Sequence, residues 1–150
     1  MKATKVQIDE FLTQPHIALA GYSRKTSGFG HQVYKSLKEK GYNLYPVNPA
    51  GGTTPEGEKI YENLSVLPHE VRALYVVTPP TASPAVVAEG LKQGFTHFWV
   101  QQMSDNEEVK KMLAHEPNVI MRQCILMHTS PSGIHKFHRW LAGVFGMLPK

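Results

Sequence analysis

The chain has 150 residues, of which 41% are hydrophobic and 19% charged, a composition typical of a single globular domain. Its net charge of +4 favours an anionic ligand, but no cluster of Lys and Arg with interleaved aromatic residues indicates nucleic acid. Prolines interrupt the longest uncharged stretch, and charged residues near the N-terminus leave no apolar signal segment, so we expect neither a membrane span nor secretion.

The first half of the chain predicts alternating helices and strands. A helix over residues 5–12 lies at one edge of the sheet, an apolar strand follows over 16–20, and a second strand covers 43–47. Between the strands, Ser27 can cap a helix that Gly41 ends. The inward face of that helix is predicted, from a spacing of four, to carry Phe29, Val33 and Leu37.

The second half of the chain continues the alternation. Apolar runs predict strands over residues 72–77, 96–100 and 118–121, with helices between them over 83–93 and 104–115. Ser83 followed by Pro84 is typical of a helix start. Ser104 and Glu107 have the spacing of a capping box.

This order of elements predicts βαβ units with right-handed crossovers. The fold class is α/β: a Rossmann-like three-layer fold with a mainly parallel five-stranded sheet, plus a C-terminal amphipathic helix. Residues 1–128 form the domain, and residues 129–150 are a helical extension of it. Along that extension, Ile134, Phe137 and Leu141 share one stripe at helical spacing. The helix can pack on its own domain or form an interface with a second copy or a partner protein, and its few cations disfavour a membrane surface.

The stretch after the first strand combines glycines and cations. Residues 16–33, HIALAGYSRKTSGFGHQV, predict a strand, a tight polar turn and a helix. Such a turn directs backbone N–H groups and the positive end of a helix dipole at one point, where a phosphate can bind. Arg24 and Lys25 supply charge there, with solvated surface cations as the alternative interpretation. Gly28 and Gly30 permit either close helix packing or unusual backbone angles.

Ligands of such sheets bind outside the carboxyl ends of the strands, where the strand order reverses. The segments that we expect to meet there are residues 21–25, 48–50, 78–80 and 101–103. The turn lacks the G-x-G-x-x-G pattern, and Asn48 stands where an acidic residue would hold the ribose of a dinucleotide. No Walker A lysine follows the glycines either. NAD and ATP are therefore both disfavoured.

Five short motifs occur in order along the chain, in or near the ends of successive predicted strands. They are G-x-S-R from Gly21 to Arg24, V-N-P from Val47 to Pro49, the pair Pro79-Pro80, the run Trp99-Val100-Gln101, and Arg122 with Cys124. On these motifs, residues from about 5 to 126 resemble the small stand-alone coenzyme A-binding proteins, whose domain is similar to the N-terminal domain of the succinyl-CoA synthetase α subunit.

The resemblance implies binding of coenzyme A (CoA) or an acyl-CoA. Ser23, Arg24 and Lys25 would lie near its phosphates, and Thr78, Pro79 and Pro80 along the pantetheine arm. The complete set of predicted cofactor-binding residues is Gly21, Tyr22, Ser23, Arg24, Lys25, Asn48, Pro49, Thr78, Pro79, Pro80, Gln101 and Gln102.

Two departures from the synthetase limit what the resemblance implies. Ala50 stands where the synthetase subunit typically has a basic residue, and the second domain with its phosphorylated histidine is absent from these 150 residues. Ligase activity is therefore not implied, and we predict no catalytic residue. The alternatives are an NAD(P)-binding oxidoreductase-like subunit, an enzyme that handles acyl-CoA through a partner, and a Rossmann-like interaction module with a vestigial pocket.

Cys124 is the single cysteine, which excludes an internal disulfide and favours the cytoplasm. It could act as a nucleophile or form a mixed disulfide with CoA, although a lone cysteine after an apolar strand is more often a buried small residue. His128, His135 and His138 suggest a metal site, but no carboxylate or second cysteine completes a ligand set. We predict no metal.

Overall fold

The structure, a computed structural model, describes residues 3–129. Apart from Thr129, the predicted C-terminal helix lies outside the described residues. The helices and strands are α1 (Lys5–Leu12), β1 (Ile17–Ala20), α2 (Phe29–Glu39), β2 (Leu44–Val47), β3 (Ala73–Val76), α3 (Ser83–Lys92), β4 (His97–Gln101), α4 (Glu107–Met112) and β5 (Val119–Gln123). Short 3₁₀ turns cover Leu64–Val66 and Ile125–Met127. Every predicted strand is present, with bounds that differ by one or two residues.

The five strands form one parallel sheet in the order β2-β1-β3-β4-β5. Strand β1 is central to the topology because it pairs on one side with β2 and on the other with β3, so that Ala20 lies beside both Val47 and Val76. The strand order therefore reverses at β1, and a crevice opens at the carboxyl ends of β1 and β3. The predicted α/β Rossmann-like fold is confirmed.

Two apolar cores cover the two faces of the sheet. Along β1, Ile17 and Leu19 pack into the core that α1 and α2 complete, whereas Ala18 and Ala20 pack into the core of α3 and α4. A strand that is buried on both faces has no polar face to alternate with. This is why the strands could be recognised as short, continuous apolar runs.

The first turn of helix α2 differs from the prediction in its capping residue and in the residue that faces the core. Its N-cap is Gly28 rather than Ser27, and Phe29 is 49% exposed, so the prediction that Phe29 faces the core was wrong. Val33 and Leu37 are buried as predicted. Gly30 is the inward-facing residue of the first helical turn, where it packs against the loop that follows β1. Its neighbour Phe29 therefore faces outward.

The capping residues of two further helices differ from the prediction, although α3 begins at Ser83 as predicted. Helix α4 is capped by Asn106, whose Oδ1 accepts a hydrogen bond from the N–H of Val109 at 2.9 Å. The predicted capping box fails because Ser104 is buried and its N–H donates to the carbonyl of Gln101 in the turn after β4. At α3, the N-cap is Ala82, and Ser83 lies inside the first turn.

Strand β5 carries a bulge that no pattern in the sequence predicted. Val100 pairs with Met121 and Gln101 with Gln123, so Arg122 has no pairing residue on β4. Its φ is 61°. The indole N–H of Trp99 donates to the carbonyl of Gln123 at 2.9 Å and holds the strand beyond the bulge. The chain then continues through Cys124 to the 3₁₀ turn. Within residues 3–129, no helix has the length and apolar character that crossing a bilayer requires.

Candidate functional site

A cavity of about 1220 Å³ lies at the carboxyl ends of the strands. All four predicted loop segments contribute to it. The predicted residues that line it are Gly21, Tyr22, Ser23, Asn48, Pro49, Thr78, Pro79, Gln101 and Gln102. Arg24, Lys25 and Pro80 lie outside its lining. The sequence predictions missed an apolar part of the wall that includes Phe29, Leu64, Ala82, Val86 and Met127.

Three glycines allow the turn after β1 to pack tightly. Gly21 has a φ of +107°, and a Cβ atom there would lie 2.7 Å from the carbonyl carbon of Val77. A Cβ atom on Gly30 would lie 2.1 Å from the carbonyl oxygen of Gly21, and one on Gly28 would lie 2.1 Å from Oγ of Ser23. Because Gly28 has an ordinary φ of −73°, close packing rather than an unusual backbone angle accounts for it.

One rim of the cavity is suited to an anion. Gly28, Phe29 and Gly30 line the cavity, and no side chain in the described structure caps the N-terminus of α2. The first backbone N–H groups of this helix can therefore bind a ligand. Arg24 and Lys25 are exposed on the turn that precedes α2, and neither forms an ion pair with any residue in 3–129.

Asn48 holds the first two loops together. Its Nδ2 donates to the carbonyl of Tyr22 at 2.7 Å, and its Oδ1 accepts from the N–H of Ala50 at 2.8 Å. The Tyr22 side chain is buried in the core, where its hydroxyl lies 3.2 Å from Nδ1 of His31. Burial raises the pKa of the Tyr22 hydroxyl. Asn48 and Tyr22 thus position the turn, and their roles toward a ligand stay predictions.

A small hydroxyl network fixes the loop after β3. The Ser83 hydroxyl donates to the carbonyl of Pro79 at 3.2 Å, which leaves Thr78 to donate to Ser83 at 2.7 Å. Pro80 is turned away from the cavity lining, and its carbonyl accepts from Nδ2 of Asn106 at 2.8 Å. Asn106 therefore connects this loop to the start of α4.

Gln101 is the most deeply buried polar residue that we predicted for the site, with 3% of its surface exposed. Its Oε1 accepts from the hydroxyl of Tyr75 at 2.8 Å and from the N–H of Ile125 at 3.1 Å. Burial raises the pKa of the Tyr75 hydroxyl well above its usual value, which keeps it a donor. Its neighbour Gln102 is exposed at the same end of the cavity.

The interior of the cavity is mostly apolar. Glu62 and Glu89 are its charged lining residues, and Glu89 is engaged through Oε1 with the N–H of Leu64 at 3.1 Å. No cation among residues 3–129 lines the cavity, and the exposed cations Arg24 and Lys25 lie outside the lining, on the turn after β1. Cys124 lines the opposite end and is half-buried rather than fully enclosed. A ligand with an anionic head and a neutral tail fits this distribution of charge.

The described residues offer no metal site. Within residues 3–129, no group of three or more His, Cys, Asp or Glu side chains could hold an ion. His135 and His138, two members of the histidine set in the sequence, lie outside the described residues.

Comparison with known proteins identifies the family to which the chain belongs. A family model described as a CoA binding domain matches residues 15–130. The chain belongs to this CoA-binding domain family. The resemblance drawn from the five strand-end motifs is thereby confirmed.

Relatives of this family member include both small proteins and parts of larger ones. Protein YneT of Bacillus subtilis is 32% identical over 126 residues, which cover 81% of this chain and 91% of that protein. The α subunit of acetate–CoA ligase (ADP-forming) I of Pyrococcus furiosus is 30% identical over 94 residues. That match covers 59% of this chain and 20% of the ligase subunit.

Solved structures share the fold. A conserved hypothetical protein from Pyrococcus furiosus has 31% identity and a TM-score of 0.71, over 76% of this chain and 98% of that one. A protein from Thermus thermophilus has 27% identity and a TM-score of 0.73, over 91% of this chain and 99% of that one.

Proposed function

We propose that this protein binds CoA or an acyl-CoA in the cavity at the carboxyl ends of its strands, without catalysis of its own. The observation that carries the proposal, in a member of a CoA-binding family, is a mostly apolar cavity that opens beside an exposed pair of cations, Arg24 and Lys25, on the turn after β1. CoA has a matching division, since phosphates occupy one end and the uncharged pantetheine arm the other.

The phosphates belong at the turn after β1. The N–H groups at the start of α2, which no side chain in residues 3–129 caps, and the Arg24 guanidinium, which forms no ion pair within that range, supply directed donors. An Arg–phosphate contact can be bidentate. The pantetheine arm then runs along Thr78 and Pro79 toward the apolar wall around Val86. Ala50, where the synthetase subunit typically has a cation, leaves the rim with Arg24 and Lys25 as its nearby cations.

The side-chain chemistry disfavours a dinucleotide. A dinucleotide-binding site holds the ribose through a carboxylate at the end of the second strand. Here Asn48 stands at that position, and both ends of its amide are occupied by Tyr22 and Ala50. CoA does not require that contact.

A ligand panel tests the proposed function. Calorimetric titration with CoA, acetyl-CoA, NADH, NADPH and ATP should give binding for the CoA species alone. A nicotinamide cofactor that binds while CoA does not would refute the proposal. If none of these ligands binds, an interaction module with a vestigial pocket is favoured instead.

Arg24→Ala tests the anion rim. Loss of one charge-assisted hydrogen bond should weaken CoA binding by about 1.5–3 kcal/mol. Stability should change little because the side chain is exposed and unpaired within the described structure. Lys92→Ala is the matched control, since it removes an exposed cation at the carboxyl end of α3, away from the cavity. Unchanged affinity in Arg24→Ala would remove Arg24 from the site.

A further inference from the structure

The loop after β2 contains two adjacent glycines that lie against charged side chains from other segments. A Cβ atom on Gly52 would lie 3.8 Å from Nη2 and 3.9 Å from Cζ of Arg24. A Cβ atom on Gly51 would lie 3.0 Å from Cγ and 3.2 Å from Oε1 of Glu62. The Arg24 guanidinium therefore reaches from the turn after β1 across to the loop after β2.

Gly52 also has an unused backbone donor. Its carbonyl accepts a hydrogen bond from the N–H of Ile60 at 2.9 Å, but its own N–H has no acceptor within residues 3–129. Gly52 and Arg24 are both exposed. A backbone N–H and an arginine guanidinium are therefore close together at the surface and accessible to a ligand.

The loop after β2 supplies no cation of its own at this place. Residues 48–58, NPAGGTTPEGE, contain no Lys or Arg. The next residue is Lys59, whose Nζ lies 4.9 Å from the centre of the Tyr61 ring. Because Arg24 forms no ion pair within residues 3–129, its charge is available there for an anion.

The direction of the ligand decides which phosphate of CoA can meet Arg24. The pantetheine arm runs along the loop after β3, so the adenosine lies on the other side of β1, at β2. In sheets of this class the ribose of a nucleotide lies at the end of the second strand, where an arginine can bind a phosphate carried by the ribose. β2 is one strand spacing from β1, about 4.8 Å, which is the scale of a ribose ring. The Glu62 carboxylate disfavours a phosphate beside Gly51 and leaves the Gly52 side.

We infer that Arg24 and the N–H of Gly52 bind the 3′-phosphate on the ribose of CoA. This contact distinguishes CoA from ligands whose ribose carries no phosphate. The pyrophosphate then occupies the N–H groups at the start of α2. This assignment rests on the proposed function and adds to it the part of the ligand that the site selects.

Dephospho-CoA is the probe, since it differs from CoA only in lacking the 3′-phosphate. In calorimetric titrations, the wild type should bind CoA at least about tenfold more tightly than dephospho-CoA. In Arg24→Ala, the ratio of the two affinities should fall below about twofold, because the 3′-phosphate loses its charged donor and dephospho-CoA loses nothing.

Lys25→Ala is the matched control for charge. It removes the neighbouring exposed cation, of which no atom lies within 4 Å of the Cβ position on Gly52. We expect it to weaken both ligands by a similar factor and to leave the ratio of their affinities unchanged. An equal fall of the ratio in Arg24→Ala and Lys25→Ala would show that general charge selects the phosphate, and would overturn the assignment.

Two isomeric fragments separate the position of the phosphate from its charge. Adenosine 3′,5′-bisphosphate and adenosine 2′,5′-bisphosphate carry the same charge and differ in the ribose carbon that bears the second phosphate. The 3′,5′ isomer should bind the wild type at least about fivefold more tightly. Both should bind Arg24→Ala alike. Equal affinities for the wild type would contradict a positioned contact.

The fate of the assignment can be told apart from that of the proposed function. If the wild type binds CoA and dephospho-CoA equally well, Arg24 does not bind the 3′-phosphate, but CoA binding stands. If neither ligand binds, the assignment and the proposed function are both overturned.

Discussion

At the scale of single residues, glycines decide how closely the anion-binding turn can approach the sheet. Gly30 lies in the first turn of α2, where Ala is normally the better helix former by about 1 kcal/mol. Its missing Cβ, however, would lie 2.1 Å from the Gly21 carbonyl oxygen, a backbone atom that cannot move aside cheaply.

Gly30→Ala should therefore destabilise the protein by about 1–3 kcal/mol, the usual cost of an overpacked contact. It should also weaken CoA binding, because α2 is displaced from the turn. Chemical denaturation measures the change, with Lys35→Ala on the exposed face of α2 as the control. A stabilised Gly30→Ala variant would contradict the close approach.

Glu58 gives the stability a dependence on pH. Hydrogen bonds from Lys38, at 2.7 Å, and from Tyr34 lower the pKa of this carboxyl. Its contribution is therefore present above the unfolded pKa and is lost as the pH falls through the lower folded value. Since the side chain is 39% exposed, we expect no more than about 1 kcal/mol.

Glu58→Gln should reduce stability near neutral pH by that amount and flatten the acid limb of the stability curve. Denaturation midpoints from pH 7 down to pH 3 measure it. Glu39→Gln is the control, since it changes an exposed carboxylate that forms no ion pair within residues 3–129. Parallel curves for the wild type and Glu58→Gln would refute the assignment.

At the scale of elements, Asn106 performs two tasks that substitutions can separate. Its side chain caps α4 through Val109 and also donates to the carbonyl of Pro80. Asn106→Ala should cost about 1 kcal/mol of stability through loss of the cap. Asn106→Ser should keep the cap but lose the reach to Pro80, so its stability should approach that of the wild type. Equal losses in the two variants would show that the contact with Pro80, not the cap, stabilises this region.

The inner strands β1 and β3 were predictable from the sequence because all of their residues are apolar and buried, and a turn signal follows each of them. Helix starts were less predictable, since Ser104 and Asn106 are both good caps and only the buried turn after β4 decides between them. Phe29 was misplaced because the inward side of α2 depends on where Gly30 meets Gly21. The bonds of Gln101 were beyond local patterns, since Tyr75 and Ile125 lie 26 and 24 residues away along the chain.

At the scale of the whole molecule, the net positive charge of the protein should affect how tightly CoA binds more than which ligand is selected. The chain carries a net charge of +4, and the proposed ligand is a polyanion whose phosphates lie at an exposed rim. Exposed charges are screened at about 3 Å in 1 M salt, against about 10 Å at 0.1 M. CoA affinity should therefore fall several-fold as NaCl is raised over that range.

Pantetheine is uncharged, so its affinity should not fall with salt. Calorimetry with both ligands over the same salt series measures the contrast. Equal salt dependence for CoA and pantetheine would mean that the phosphates do not contact the cationic rim.

The amide side chains around the cavity have a consequence for the kinetics of binding. Asn48 joins the first loop to the second, Asn106 joins the third to α4, and Gln101 joins β4 to the segment after β5. Because these hydrogen bonds lie within the protein, the loops lose conformational entropy on folding rather than on binding. We therefore expect association without a separate loop-closing step, and differences in affinity between ligands mainly in their dissociation rates.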